Sequence, residues 1–240
     1  MEKGLLSDLE RKSIEPIAIA YEGSENVRNL TNFMGLSKWD NEGMHEEYRQ
    51  DISGQLAHEG AMITVDDTGF PKKGRNSVGV ARQYCGRIGK VDNCQIGVMA
   101  GYVSPQGYGL IDYELYMPDK WFDDDHKELR KKCGVPPSLK FRKKNDIASD
   151  MIRKATCSGL FTAKYVGADS AYGNDSEFLD SLPEGIIYFA DIKKNKKVFI
   201  DRPKMAVPPY SGNGRKPRKE AAEGSSGISF PYSARNSGRY

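Results

Sequence analysis

A short apolar run that ends in two adjacent carboxylates most constrains how this chain can fold. Residues 62–65 are rich in strand-forming side chains and lead directly into Asp66-Asp67. Thr68-Gly69 is expected to turn the chain, and residues 77–84 are expected to return as a second strand beside the first. The rigid end of a strand leaves a carboxylate open to solvent, which suits a catalytic acid. An ordinary solvated Asp-Asp turn is the competing interpretation.

A second segment far downstream repeats this pattern. Residues 164–168 form a short apolar run that ends in Asp169, and Ser170-Ala171-Tyr172-Gly173 follows. Asp67 and Asp169 are therefore paired as candidate catalytic acids at neighbouring strand ends.

The order of predicted elements indicates a mixed α/β fold. Three consecutive antiparallel strands are expected over residues 61–66, 77–84 and 93–102, and residues 103–144 are expected to be rich in loops. Apolar spacing then predicts a helix over 146–158, a strand that ends at 169, a helix over 175–182 and a strand over 186–190. This order is that of a ribonuclease-H-like core, in which both acids would lie near the middle of the sheet.

Three regions are expected along the chain. Residues 1–58 read as a small helical N-terminal region, which is either a DNA-binding appendage or a cap that packs on the core. Residues 59–200 hold the ribonuclease-H-like core, and residues 201–240 are expected to form a basic, mostly disordered tail because they are rich in Pro, Gly and Ser.

The charge distribution indicates a polyanionic partner. The net charge is only +3, but residues 192–240 hold 12 Lys or Arg against 3 Asp or Glu. The preceding residues carry 24 basic against 30 acidic side chains. A basic end on a mildly acidic body favours nucleic acid as the partner, and a solvated tail that binds nothing is the alternative.

Composition argues against several other classes of protein. The four cysteines and three histidines lack the spacing of a zinc site, so a histidine- or cysteine-based metal site is not expected. No run approaches the roughly 18 apolar residues of a membrane span, and the N-terminus lacks the apolar core of a signal peptide. A cytoplasmic protein without a membrane partner is expected.

Several segments together resemble the DDE-type transposases of bacterial insertion sequences, in the group named after insertion sequence 701. The matching segments are residues 66–74, 77–84, 86, 89–90, 93–95, 168–173 and 212–217. The resemblance spans about residues 5–219.

The resemblance implies a metal-dependent phosphoryl transfer on DNA. The family's first two catalytic acids fall on Asp67 and Asp169, which would both be metal ligands. The family site holds two Mg²⁺ ions, for which Mn²⁺ can substitute, and carboxylate oxygens are the ligands that Mg²⁺ prefers. The implied partner is double-stranded DNA at transposon ends and target sites, bound as a homodimer and associated with the bacterial nucleoid.

Two sets of basic residues are predicted to contact DNA phosphates. The first set lines the DNA-facing side of the first hairpins and comprises Lys72, Lys73, Arg82, Arg87 and Lys90. The second set lies in the tail as a flexible strap and comprises Arg215, Lys216, Arg218 and Lys219. Contacts of this kind carry little sequence information and weaken as salt rises.

This sequence departs from the family in the region where the third catalytic acid is expected. The family's third acid is a Glu on a later helix beyond the basic loop, but only Glu220 and Glu223 follow that loop here. A truncated or frame-shifted copy is therefore expected, one that is inactive by itself. Whether the polypeptide alone is an enzyme stays open, and a non-catalytic DNA-binding fragment that acts as an inhibitor is the alternative.

An aspartic protease is a further alternative, because Asp67-Thr68-Gly69 is also the motif of that family. Such proteases pair two such motifs in an almost all-β chain. The second site here reads Asp169-Ser170-Ala171, which lacks the glycine, and residues 145–182 are expected to be largely helical. These features favour the transposase interpretation.

Overall fold

The computed structural model of the protein describes residues 2–193, 204–219 and 221–222. Two compact units divide between Arg49 and Gln50, inside the helix α4 (Asn41–Leu56). The first unit contains α1 (Glu2–Leu5), α2 (Ile14–Tyr21), α3 (Val27–Leu36) and the start of α4. The helical character predicted for the N-terminal region is therefore confirmed, whereas the domain bounds 1–58, 59–200 and 201–240 stay predictions.

The second unit is built on one mixed sheet. Its strands are β1 (Met62–Pro71), β2 (Ala81–Cys85), β3 (Lys90–Ser104), β4 (Gly107–Tyr116), β5 (Tyr165–Ala168) and β6 (Ile187–Ala190). The helices of this unit are the end of α4, α5 (Lys127–Lys132), α6 (Lys144–Cys157), α7 (Ser170–Gly173) and α8 (Ser176–Asp180). Within the described residues, no helix is both long and apolar enough to span a bilayer.

The strand order is that of a ribonuclease-H-like sheet. Strand β3 pairs antiparallel with β1 on one side and with β4 and β2 on the other. Strand β5 pairs parallel with β1, and β6 pairs parallel with β5. Four antiparallel strands, β1 to β4, precede helix α6 and the two parallel strands, which is one antiparallel strand more than predicted. The mixed α/β prediction is confirmed.

Helix α6 covers one face of this sheet. Its apolar residues recur every three or four positions, and Ile147, Met151 and Ile152 pack on the sheet residues Ile63 and Val98 in the main buried core. Alternation along β1 explains this contact, because Ile63 and Val65 face the helix while Met62 and Thr64 face away.

The prediction that the first strand ends at the two carboxylates was wrong. Strand β1 continues through Thr68-Gly69 to Pro71, and Gly69 pairs with Ile96 of β3 instead of forming a turn. The extra length follows from β3, which runs for 15 residues and supplies hydrogen-bonding partners along the whole of β1. The parallel pairing with β5 stops at Val65, so the carboxylates still follow directly after the parallel segment.

Two further expectations are corrected. Strand β2 pairs with β3, not with β1, so the second predicted strand does not lie directly beside the first. Strand β4 occupies part of the stretch 103–144 that was expected to be rich in loops. A bulge hides β4 in the sequence, because the pairing with β3 skips Ile111 and leaves both Ile111 and Asp112 buried, which breaks the alternation of a regular strand.

The described part of the tail holds one short pairing. Strand β7 (Met205–Ala206) pairs antiparallel with β8 (Ala221–Ala222), so this part of the tail is more ordered than its composition predicts. Residues 194–203, 220 and 223–240 lie outside the described residues. The prediction of disorder for those stretches stays a prediction.

Candidate active site

Asp67 meets a lysine from the first turn of α6. The Nζ atom of Lys144 lies 2.7 Å from Oδ2 of Asp67, and the two side chains are 28% and 21% exposed. Strand alternation causes this contact, because it sends Asp67 to the face that α6 covers. The Lys144 ammonium also lies 5.4 Å from the ring centroid of Tyr116, so both an aromatic face and a carboxylate position it.

Asp66 lies close to Asp169 in the sheet. The parallel register pairs Val65 with Ala168, so Asp66 and Asp169 are the next residues on their two strands. Although Asp66 is exposed as a residue, its carboxyl group loses part of its hydration, and this loss raises its pKa. The charges of Asp169 and Asp67 raise it further, against the opposing effects of the Asp67 backbone N–H and the Lys144 ammonium.

Asp169 is held by the start of a short helix. Its Oδ1 atom accepts a hydrogen bond of 2.8 Å from the backbone N–H of Ala171, and its carbonyl oxygen accepts from the N–H of Gly173. This is the N-cap arrangement that carboxylates commonly adopt. Asp169 is therefore fixed at the point where β5 ends and α7 begins.

A buried phenol lies among these carboxylates. The hydroxyl group of Tyr172 is buried and has no hydrogen-bond partner within the described residues, and the ring packs on Phe178. Burial raises the pKa of Tyr172, and the charges of Asp67, Asp66 and Asp169 raise it further. The charges of three carboxylates therefore act on one buried hydroxyl group that has no partner among the described residues.

The donor chemistry of this cluster fits a hard divalent cation in part. Carboxylate oxygens are the ligands that Mg²⁺ prefers, and Asp66, Asp67 and Asp169 supply them from rigid backbone. Among the described residues, however, no three Asp, Glu, His or Cys side chains are placed to hold one metal ion together. Glu220 and Glu223 lie outside the described residues.

The predicted DNA-binding residues fall in three places, and all of them are exposed. Lys72 and Lys73 follow β1, and Lys73 and Arg82 line one cavity. Arg87 and Lys90 lie at the turn between β2 and β3, where Lys90 pairs with Asp92 at 3.4 Å. The remaining four, Arg215, Lys216, Arg218 and Lys219, lie in the described part of the tail, where the Lys216 ammonium is 5.7 Å from the ring centroid of Tyr210.

Comparison with known proteins identifies the family of this chain. The family model described as DDE superfamily endonuclease matches residues 3–231, which is nearly the whole chain. The chain belongs to this family. This DDE family member is also 32% identical over 200 residues to a protein named "Probable transposase for insertion sequence element IS701" from Microchaete diplosiphon. That alignment covers 82% of this chain and 48% of the relative, so the chain spans about half the length of the curated protein it matches.

Solved structures resemble this DDE family member only distantly. The NurA nuclease from Sulfolobus solfataricus gives a TM-score of 0.22 at 11% identity, over 68% of this chain and 40% of that one. A pre-cleavage Mos1 transpososome gives 0.19 at 13% identity, over 78% and 56%. Scores of this size support no functional comparison.

The sequence reasoning missed three residues at this site. The sequence gives no role to Lys144 or Tyr172, and it favours Asp67 over the adjacent Asp66 as the catalytic acid. The run of basic residues that ends at the start of α6 was the available signal for Lys144. Its partner Asp67 lies 77 positions earlier in the chain. For that reason only the fold reveals the pair.

Proposed function

We propose that this chain contains the catalytic sheet of an insertion-sequence transposase. Such a transposase binds duplex DNA and carries out two-metal phosphoryl transfer at the ends of the insertion sequence. The observation that carries this proposal is the cluster of Asp66, Asp67 and Asp169 directly after the parallel pairing of β1 with β5. Membership of the DDE endonuclease family supports the same chemistry.

Asp67 and Asp169 are the proposed metal ligands, and Asp66 is proposed not to replace Asp67. Asp67 and Asp169 would hold divalent metal ions, which would supply Lewis-acid activation of the phosphodiester and of the attacking hydroxyl group. Paired strands fix the backbone of Asp67, and the α7 N-terminus fixes Asp169, so neither carboxylate must be ordered when DNA arrives. Lys144 would balance the negative charge of Asp67 until the ions bind.

The basic residues are proposed to hold DNA around this cluster. Lys72, Lys73, Arg82, Arg87 and Lys90 would contact backbone phosphates, and the tail residues Arg215, Lys216, Arg218 and Lys219 would add non-specific affinity. A homodimer on DNA and an association with the nucleoid belong to the same proposal. Reversing the charge of Lys72 and Lys73 should weaken binding to unrelated duplexes equally and reduce its salt dependence.

The chain alone is proposed to bind DNA without cleaving it. No third metal-binding side chain joins Asp67 and Asp169 within the described residues, so a second ion would lack a fixed ligand. Misplacement of reacting groups by about 1 Å costs around a hundredfold in rate. This observation also favours the second candidate function, a non-catalytic DNA-binding protein that inhibits transposition by occupying transposon ends.

The test combines metal binding with end cleavage. Binding of Mn²⁺, followed by its electron paramagnetic resonance, should be lost in Asp67→Asn and Asp169→Asn and retained in Asp66→Asn. Equal binding by wild type and both loss variants would refute the assignment of the ligands. End cleavage in Mg²⁺ and Mn²⁺ should be absent for the chain alone. Robust cleavage that Glu220→Gln or Glu223→Gln abolishes would instead show that the tail supplies a third acid.

A further inference from the structure

A polar cavity of about 430 Å³ lies beside the start of β2, away from the carboxylate cluster. Its floor is formed by two buried residues, Val80 and Ala81, and its walls come from the loop after β1, from β2 and β3, and from the short helices that follow β4. The wall residues are Lys73, Arg75, Arg82, Asn93, Lys120 and His126.

The walls carry an excess of positive charge. Lys73, Arg75, Arg82 and Lys120 are all cationic, and among the residues that the structure describes no Asp or Glu lines the cavity. Within the described part of the chain, none of these four side chains forms an ion pair with a carboxylate. The charge of Arg82 acts on Asp92, whose pKa is lowered first by the Asn93 backbone N–H, then by Lys90, and least by Arg82. Four like charges around one cavity repel one another and favour an anion between them.

One wall of the cavity is held rigidly by an asparagine. The Nδ2 atom of Asn93 donates hydrogen bonds to the carbonyl oxygens of Lys72 at 2.7 Å and Gly74 at 2.9 Å. The backbone N–H of Lys72 donates in turn to the carbonyl oxygen of Asn93 at 2.9 Å. These bonds fix the loop that carries Lys73 and Arg75, so their backbone need not be ordered on binding.

The segment that contributes Lys120 and His126 to the lining is anchored by a buried tryptophan. The Nε1 atom of Trp121 donates a hydrogen bond of 2.8 Å to the carbonyl oxygen of Val80, and the Arg130 guanidinium donates to the carbonyl oxygens of Trp121 and Asp123. The ring of His126 lies 5.6 Å from the Trp121 ring, and its buried Nδ1 atom has no hydrogen-bond partner among the described residues. Trp121 therefore ties the segment that carries Lys120 and His126 to the backbone of Val80.

We propose that this cavity binds a backbone phosphodiester of duplex DNA and so positions the duplex on the protein. Guanidinium groups match the oxygens of a phosphate, and lysine adds a compact charge. In the described part of the chain, no Phe, Tyr or Trp side chain lines the cavity to stack on a base, so the sugar-phosphate backbone is the part it recognises. The identity of the polyanion as DNA rests on the proposed function, whereas phosphate recognition rests on the cavity alone.

The proposal separates the basic residues into two groups. Lys73 and Arg82 lie in the cavity together with Arg75, Lys120 and His126, which the sequence did not single out. Lys72, Arg87 and Lys90 lie outside it. Cavity residues should contribute more to DNA affinity than cations elsewhere on the same unit.

The test compares two double variants, each of which replaces two basic side chains by glutamine. Lys73→Gln/Arg75→Gln removes two charges from the cavity, and Lys127→Gln/Lys132→Gln removes two exposed charges from α5, outside it. The affinity of the cavity variant for a random duplex should fall tenfold or more. The slope of log affinity against log salt should flatten by about one for each lost phosphate contact. The α5 variant should keep the wild-type slope, and equal slopes for the two variants would overturn the proposal.

Two further arms separate this inference from the proposed function. Pyrophosphate should raise the unfolding temperature of the wild type and of Asp67→Asn but not that of the cavity variant. If pyrophosphate did not raise the unfolding temperature of Asp67→Asn, the inference would be overturned. If the wild type binds no duplex, the proposed function and DNA as the ligand both fail, and pyrophosphate still decides whether the cavity binds phosphate. Stronger binding of single-stranded RNA than of duplex DNA, lost in the cavity variant, would overturn the choice of DNA. Lys120→Gln alone serves as the second cavity variant if the double variant does not fold.

Discussion

Replacing Lys144 by Met should increase the affinity of the chain for Mg²⁺. The Lys144 ammonium lies 2.7 Å from Oδ2 of Asp67, the oxygen that a bound cation would need. The ammonium and the metal ion therefore compete for the same acceptor. Methionine keeps an unbranched apolar side chain of similar length, so the variant removes the charge that lies 5.4 Å from the centroid of the Tyr116 ring and retains most of the side-chain volume.

The size of this change in Mg²⁺ affinity follows from how exposed the Lys144–Asp67 ion pair is. Two unit charges about 4 Å apart attract by about 4 kcal/mol at an effective dielectric constant near 20, before the costs of dehydration and side-chain ordering. Exposed pairs retain about 0–1 kcal/mol, whereas breaking a buried pair costs about 3–5 kcal/mol. With side chains 28% and 21% exposed, a net contribution of about 1–2 kcal/mol is expected. The Mg²⁺ dissociation constant of Lys144→Met should accordingly fall about 5- to 30-fold.

The assay is a Mg²⁺ titration by calorimetry, checked by the rise of the urea midpoint with Mg²⁺ concentration. Lys143→Met is the matched control, because Lys143 is the preceding residue and its ammonium lies 3.7 Å from Glu177 in a pair that is 62% and 84% exposed. The control should leave the Mg²⁺ affinity unchanged. An unchanged or weaker affinity in Lys144→Met would refute competition at Asp67, as would an equal gain in Lys143→Met.

Three further predictions concern stability in the absence of metal. The raised pKa of Asp66 means that this carboxyl group binds its proton more tightly in the folded state than in the unfolded state. The ionised Asp66 carboxylate therefore lowers the free energy of unfolding at pH values above that pKa. Asp66→Asn should therefore be more stable than wild type at pH 7, and chemical denaturation should show the gain shrinking as pH falls towards 3.8. Gly69→Ala should lose about 1–3 kcal/mol in urea unfolding, because the new Cβ would overlap Sγ of Cys85 and lie 3.2 Å from its Cα. An unchanged stability would mean that residue 69 sits in an open turn. Tyr172→Phe should keep or raise the free energy of unfolding by up to about 1 kcal/mol, since its buried hydroxyl group has no partner among the described residues, and a clear loss would contradict this.

Local patterns in the sequence predicted much of the second unit. The spacing of Ile147, Met151 and Ile152 predicted α6, because a helix places these positions on one face. The apolar run before Asp169 predicted β5, which ends at Ala168. Both signals are local, so they could be recognised without knowledge of what the elements pack against.

Pairing between distant strands produced the errors. The end of β1 depends on β3, which keeps Thr68 and Gly69 hydrogen-bonded although their composition favours a turn. Strand β4 depends on a bulge opposite β3 that breaks its alternation. Neither effect is encoded in the short window in which such strands are recognised.

Some features of the candidate site could likewise be predicted from the sequence, and others only the fold shows. The sequence by itself predicted Asp67 and Asp169 as the two acids, because the segments around them carry the family resemblance. It also determined the basic character of the loop after β1. Only the tertiary structure decided which groups surround those acids. The parallel register sets Asp66 beside Asp169, and the packing of α6 carries Lys144 to Asp67 across 77 positions of chain. Electrostatic interactions depend on distance in space, so the fold alone fixed the charge balance of the site.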